Sequence, residues 1–599
     1  MAKINNTTSE RIFTIRNWGG LHECPDGDTE IKLGEAAEMR NFCVTRDGNL
    51  QLRPGTKTIF QFEGAIRGIW NGYIGGVEYT VCAADGSVWT LDFTTKTKTE
   101  IGVIEDVPTF FFGFSEKLYI MNGLEYMVWD GDNSVIDVFG YRPLTQITVA
   151  PTGGGTSYEQ VNKLNGTRRC WLSPDGTATV FHLPETNISS VDYVKIRSTK
   201  EILSTGYSVD TAAGTITFTN APANGTNTYE IGWTYPINYR EQVLAMRFSE
   251  IFNGTTDNRV FIYGDGSNKA FYSGLDYDGF PTAEYFPDLN VLDVGSENTP
   301  ITALIRHYSK LVAFKTDSTY TVRYGQTTLD DKSLTAAFYT TPVNRIIGNE
   351  AYGQVQLVLN NPYSLQGSSI YMWKNSSSYS SNITTDERQA KVISQNVFST
   401  LKDFNFSSSY AYDDNFNQEY YLIYNGTAII QNYALNVWYK YTNFPFTSMI
   451  SVDEELYGGT ADGKIMHISR NYLNDNGNAI DAYWRSGSLA FDRDWQRKNS
   501  SKIYITMRPE AGGKITITIK TNRKSDYIEK VVSYNLATFK HTNFAHFSFN
   551  TNRQPQVERL KIKAKKFAYY QLIFSSNSTV NTATILTADI KVRYTGDVK

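Results

Sequence analysis

The chain is short of cysteine, histidine and long apolar runs, and each shortage removes a class of function. Its four cysteines, Cys24, Cys43, Cys82 and Cys170, show neither CxxC spacing nor the density of a disulfide scaffold. Reduced, mostly buried thiols are therefore expected instead of a bridge or a metal site. The six histidines, His22, His182, His307, His467, His541 and His546, form no HxxxH pair, and none sits beside cysteine at zinc spacing. No stretch approaches the roughly 20 apolar residues of a membrane span, and the opening MAKINNTTSERIF has no apolar run of signal-peptide length. That points to synthesis and retention in cytoplasm with no membrane span. Also missing are a GxGxxG after a strand, a Walker loop and a GxSxG elbow. The expectation is a protein that is not an enzyme, with no catalytic residue, cofactor or metal ligand. A formal charge of −4 argues against a binder that works by neutralising phosphates, yet is compatible with a conduit that passes DNA without holding it.

Helix-forming sequence is scarce as well. The best candidate, Gly34 to Phe42, is barely two turns long. What is present is aromatic: 40 Tyr, 33 Phe and 10 Trp, with 45 Gly at chain reversals. Such residues suit a pleated, half-buried surface, so the class is all-β, and 599 residues are enough for several domains.

From Gly64 onward one pattern returns: an alternating apolar strand, a short Asp, Asn or Gly turn, and a second alternating strand. It occurs at 79–92, 117–130, 259–273, 310–324, 354–373, 419–438 and 455–468. Tyr79 and Tyr119 lie 40 residues apart, about the length of one four-stranded propeller blade. A small sheet with two apolar faces cannot stand alone, and radial stacking buries both. The expectation is a degenerate six- or seven-bladed β-propeller with an inserted β-sandwich and a C-terminal β-sandwich; a stack of unrelated sandwiches is the rival. The boundaries are 1–60 for an N-terminal segment closing or bracing the propeller, 61–150 for the first blades and 151–235 for the insertion. The remaining blades take 236–481 and the C-terminal sandwich 482–599. The opening segment is expected to pair near Leu456 to Ile468.

Several constellations invite chemistry and are read as structure. Asp85-Gly86-Ser87-Val88-Trp89 lacks the order of a sialidase Asp box and reads as a hairpin turn with an inward Trp. The pairs Asp130/Asp132, Asp330/Asp331, Asp413/Asp414 and Asp492/Asp494 sit in turns where Asp accepts backbone hydrogen bonds. Asp130 to Ser134 and Asp413 to Glu419 loosely resemble calcium loops without the EF-hand ligand order. Lys561, Lys563 and Lys565 fall on one face of a strand, which reads first as a solvated face that discourages edge pairing and second as a contact for DNA or an acidic neighbour.

Residues 17–56 carry an ordered set of signals: Gly19-Gly20-Leu21, an acidic Asp26 to Glu30 stretch, Ile31, Gly34-Glu35, Met39-Arg40-Asn41-Phe42, Asp47-Gly48 and Arg53-Pro54-Gly55-Thr56. In combination they resemble the start of a family of tailed-phage structural proteins. Residues 175–233, running from the Asp175-Gly176 turn through ITFTNAP to EIGW, are similar to modules of other phage tail and neck proteins. The resemblance implies a virion component, a tail nozzle or hub or a neck protein, forming a homo-oligomeric ring around the DNA exit channel. Such rings are commonly six-fold. Implied partners are further copies of the chain, neighbouring tail, adaptor or fibre proteins, and double-stranded DNA in transient, non-specific passage. The implied roles are assembly, DNA retention and ejection. A glycan-binding adhesin is the alternative and a depolymerase the third reading.

Overall fold

The computed structural model describes residues 10–24, 27–253, 258–328, 334–380, 383–534 and 552–598. The chain is nearly all-β and built of many small sheets. Helix is confined among the described residues to Arg240–Leu244, Phe398–Leu401 and two single turns of 3-10 helix. No helix among them is long and apolar enough to cross a membrane.

Among the described residues seven sheets have four antiparallel strands each, joined in chain order except in the last, whose fourth strand is Gly55–Gln61. Their first strands are Ile66–Ile74, Phe110–Phe114, Phe248–Asn253, Ile301–His307, Gln356–Val358, Tyr410–Asp414 and Phe446–Val452. Each of the seven repeated hairpins falls in a different one of these sheets. The tight turns follow from residues that tolerate left-handed backbone: Asp85-Gly86 takes φ of 57° and 70°, and Asn425-Gly426 takes 45° and 72°, the two-residue geometry that matches strand twist. Middle strands such as Lys310–Lys315 and Glu419–Tyr424 are buried on both faces. The cause is packing of each sheet between two others. Val81 and Val88 of the first sheet share a core with Phe111 and Leu118 of the second; Tyr119 and Tyr126 of the second meet Val260 and Ile262 of the third. Phe261 and Tyr272 meet Leu304 and Leu311 of the fourth, and Phe314 of the fourth meets Trp373 of the fifth. Tyr363 of the fifth lies 5.1 Å from Tyr420 of the sixth, ring to ring. Tyr412 Oη of the sixth donates to Ser451 Oγ of the seventh at 3.0 Å. Phe60 and Ile465 of the seventh then pack on Ile66 and Cys82 of the first.

Between the second and third sheets lie a five-stranded sheet and a three-stranded sheet, spanning Leu144 to Thr234 and sharing a core of Val149, Cys170, Phe181, Ile216, Ile231 and Trp233. The larger sheet takes in Leu144–Val149, which runs parallel to Thr167–Leu172, so this unit starts ahead of residue 151.

Two six-stranded sheets hold the C-terminal residues, and here the expected layout needs correction. The opening 60 residues are not one closing segment. Glu10–Ile15, Phe42–Val44 and Leu50–Leu52 join the sheet of Gln496–Met507, Gln556–Phe567 and Thr584–Asp597, while Gly20–Leu21 and Glu35–Arg40 join that of Ile480–Ser486, Lys514–Thr521, Lys524–Ser533 and Tyr570–Ser578. Only Gly55–Gln61 pairs with Lys464–Ser469 in the seventh sheet. Pro54 lies between the two memberships; without an N–H it cannot continue a ladder, and the chain leaves one sheet for the other there. The helix read at Gly34 to Phe42 is also overturned, since Glu35–Arg40 is a strand paired with Ile480–Ser486. A bulge between Ala36 and Glu38 places Ala36 and Met39, three residues apart, both in the core, and that spacing imitates a helical face.

Candidate functional site

The residues that carry the sequence signature converge where the sixth sheet, the seventh sheet and the C-terminal sheets meet. Asn41 takes a left-handed backbone, φ 56°, at the step between two strands. From there its side chain donates to Thr442 Oγ1 at 2.9 Å and to the Asp481 carbonyl at 2.8 Å, and its Oδ1 accepts from Arg53 Nε at 2.9 Å. The Arg53 guanidinium is fully buried and forks onto Asp475, at 2.9 Å to Oδ1 and 2.5 Å to Oδ2. Its remaining protons go to the carbonyls of Pro54 and Thr442. Thr56 Oγ1 donates to the same Asp475 carboxylate at 3.3 Å. Gly55 must be glycine, because a β-carbon there would sit 2.4 Å from the Asn474 carbonyl oxygen. At the other end of the signature a β-carbon on Gly20 would meet the Trp438 carbonyl at 2.5 Å. Glu35 accepts from His22 Nδ1 at 2.8 Å, and Asp28 accepts from Arg485 Nη1 at 2.6 Å. Asp26 lies outside the described residues.

Under this joint lies a second buried polar group. Glu419 accepts from the hydroxyls of Tyr421 and Tyr439, and Arg470 Nη2 reaches Cys43 Sγ at 3.5 Å. Burial raises the Glu419 carboxyl above the usual range, opposed by the two tyrosines and Arg470. Cys43, Cys82 and Cys170 are buried free thiols, and Cys24 is half-buried. Burial pushes the thiols of Cys82 and Cys170 up, away from a reactive thiolate.

Among the described residues the paired carboxylates serve the turns and strands they sit in. Asp130 spends its oxygens on the backbone N–H groups of Asp132 and Asn133 and on Asn133 Nδ2, and the N–H of Asn133 above all holds its carboxyl down to about 2. Asp413 and Asp414 are consecutive in one strand and so point to opposite faces. Asp414 is buried and accepts from Asn417. Burial pushes Asp413 up to about 6 against the hydrogen bond from Tyr433. Asp494 accepts its neighbour's N–H, and Asp330 and Asp331 lie outside the described residues. Asp85 caps the hairpin entry by accepting from Glu63 N, and Trp89 Nε1 donates to the Ala84 carbonyl. His467 sits between Glu455 and Tyr472, and His307 is buried against Arg388 at 3.2 Å, its pKa pushed down to about 4 by burial and then by that guanidinium. His541 and His546 lie outside the described residues. Among the described residues no three His, Cys, Asp or Glu side chains gather as a metal shell.

Sequence reading missed Glu250, on the first strand of the third sheet. Its only signal was an acid among aromatics in FSEIFN. Burial pushes its carboxyl up to about 7 from the ordinary 4.5, opposed by the Ile251 N–H and by Arg306. Between those pH values the folded chain keeps a proton that the unfolded chain releases, so stability falls as pH rises from about 4.5 to about 7 and stays lower above. Glu250→Gln removes that penalty. Thermal unfolding at pH 5 and pH 8 is expected to show a loss of stability that is smaller in the variant than in the wild type by up to about 3 kcal/mol, the remainder coming from other raised carboxyls such as Asp413. Equal pH slopes in the two proteins would refute it.

No family model matches the chain, and no curated protein matches it. Similar solved structures include the computationally designed Ika8 protein, 9% identical over 69% of this chain and 99% of that one, with a TM-score of 0.30. Another is an auxiliary nutrient binding protein from Bacteroides thetaiotaomicron, 9% identical over 78% of each chain, TM-score 0.25. A third is an exo-beta-1,3-galactanase from Phanerochaete chrysosporium, 11% identical over 90% of this chain and all of that one, TM-score 0.16. At such scores the likeness carries no argument about this chain.

Proposed function

We propose that the seven four-stranded sheets form a closed seven-bladed propeller and that the chain is a non-enzymatic structural component of a phage virion. In this reading it forms a ring around the DNA exit channel as a tail nozzle, hub or neck protein. The observation that supports it is the use made of the signature residues. Asn41, Arg53, Gly55 and Thr56 are spent on fastening the strand that completes the seventh sheet to the C-terminal sheets. Such a joint makes blades and sandwich one rigid body, which a tube wall requires and a substrate cleft does not. Rings arise when one surface of a subunit fits a different surface of the next and the rotation closes.

Negative-stain microscopy of the purified protein, at high concentration and low salt, tests this. Rings with a central hole are expected. Single particles at every concentration would overturn the reading. A glycan-binding role is the second reading, favoured by one observation: exposed Tyr158 of the inserted unit lies 6.1 Å from exposed Tyr277, which is on the loop between Lys269–Tyr272 and Val291–Asp293 of the third sheet, and Tyr277 also meets Trp171 of the inserted unit. Single particles that bind host polysaccharide, with binding lost on substituting both tyrosines by alanine, would establish it instead.

A further inference from the structure

The outer face of one C-terminal sheet gathers positive charge in a way that folding alone does not favour. Along Gln556–Phe567 burial alternates: Leu560, Ile562 and Ala564 face the core, while Arg559, Lys561, Lys563 and Lys565 face outward. Directly across the ladder from Lys561 stands Lys502, and across from Lys502 stands Lys591. Like charges directly opposite one another destabilise a sheet. Lys591 is paired at 2.6 Å with Glu10, which also feels Lys502, and among the described residues no ion pair joins an acid to Lys561 or Lys502. Two exposed apolar side chains, Val557 and Ile12, flank the row. The chain as a whole is acidic, at −4, so this face is a local inversion of sign.

The opposite combination occupies the outer edge of the first and second sheets. Val103, Ile136 and Phe139 are 70%, 61% and 67% exposed. Around them stand the exposed carboxylates Glu100, Asp130, Asp132 and Asp137. The two sheets are joined there by the Val135 N–H donating to the Ile101 carbonyl at 2.8 Å. Of the cations near this edge, Lys98 is turned away onto the Gln61 carbonyl, and Arg240 reaches Asp137 at 3.5 Å. A cavity of about 420 Å³ opens beside Asp137 and Phe139. An apolar centre with a charged rim is the composition of a protein interface.

The two surfaces belong to different elements of the fold. The C-terminal sheets lean on Val437–Thr442, the outer strand of the sixth sheet, and the acidic edge belongs to the first and second. The seventh sheet and part of the first stand between them. Resting on the ring reading above, we propose that the lysine face of one copy docks on the acidic, apolar edge of the next copy, and that this head-to-tail contact builds the ring. Opposite charge selects the partner surface and the exposed apolar side chains supply buried area.

The test uses two variants of the full chain, K561S/K563S/K565S and D130N/D132N/D137N, with size read by light scattering and mass photometry. All six side chains are exposed, so the lysine variant should keep the wild-type melting temperature; Asp130 also caps its own turn, so the acidic variant should melt somewhat lower, and D132N/D137N, which spares that cap, should melt as the wild type does and lose the ring in the same way. Each variant alone is expected to lose the ring, with subunit affinity weakened at least 100-fold. Mixed one to one they should form dimers and stop there, since each then contributes one intact face. Wild-type rings should loosen as salt rises. Rings formed normally by either variant would overturn the proposal while leaving the ring reading intact, whereas a wild type that never forms rings removes both. Variants that dissociate yet fail to dimerise on mixing also overturn it. So does a lysine variant that keeps its rings but loses affinity for duplex DNA, which would assign the face to a polyanion.

Discussion

Arg53→Ala is expected to cost about 3–5 kcal/mol of folding stability, the usual effect of removing one partner of a buried ion pair. The side chain is wholly buried, and its removal leaves the Asp475 carboxylate, also buried, with hydrogen bonds from Thr56 and the more distant Asn443 in place of a guanidinium fork. It also takes one donor from the Thr442 carbonyl and one from the Asn41 amide oxygen, which keeps the Thr442 N–H. Arg53→Lys should recover little, because an ammonium cannot fork onto both carboxylate oxygens while also reaching Asn41. The double change Arg53→Met with Asp475→Leu should cost less than either single loss, since no uncompensated charge remains. Guanidinium unfolding followed by tryptophan emission reports this, with Trp438 and Trp484 buried near the joint. A loss below about 1 kcal/mol for Arg53→Ala would show that the pair contributes no more than a surface ion pair.

Sequence reading and structure diverge at the same joint. Hairpins were legible because their causes are local: Asp85-Gly86 and Asn425-Gly426 set the turn, and alternation sets the strand. The same holds for Lys561, Lys563 and Lys565, whose outward face follows from period two alone. Arg53-Pro54-Gly55 read as a bend, correctly, but nothing near it in sequence announces Asp475, which lies 422 positions away and supplies the reason for the arginine. Ala36 and Met39 misled because a bulge converts a strand's spacing into a helix's. Glu250 was hidden by the opposite effect: the polar position of an alternating strand ordinarily faces water, yet here both faces of the sheet meet neighbours. Long-range pairing and stacking decide these positions, and neither leaves a mark within a short window of residues.

Two truncations separate the tasks of the opening segment, and their effects should exceed any point substitution. Deleting residues 1–52 removes five strands from the C-terminal sheets but keeps Gly55–Gln61 in the seventh sheet. The lost core includes Ile15, Trp18, Leu21, Met39, Phe42 and Leu50, all nearly inaccessible, with the Trp18 ring 5.0 Å from Trp484 and 5.8 Å from Phe574. At roughly 1.5–3 kcal/mol for each buried large side chain, that exceeds the net stability of about 5–15 kcal/mol typical of a domain. The described strands between Ile480 and Asp597 should therefore lose amide protection while the seven four-stranded sheets keep theirs. Deleting residues 1–61 takes the fourth strand of the seventh sheet as well. Lys464–Ser469 then becomes an open edge, and Ile465, Ile66 and Cys82 lose Phe60 from their shared core. Protection should now fall across the seventh and first sheets too, and the protein should aggregate through the bare edge. Hydrogen exchange read by mass spectrometry distinguishes the two patterns. Full protection of the described strands between Ile480 and Asp597 in the shorter truncation would show that the C-terminal sheets fold without the N-terminal strands, and the joint would then be an attachment between independent units instead of a shared core.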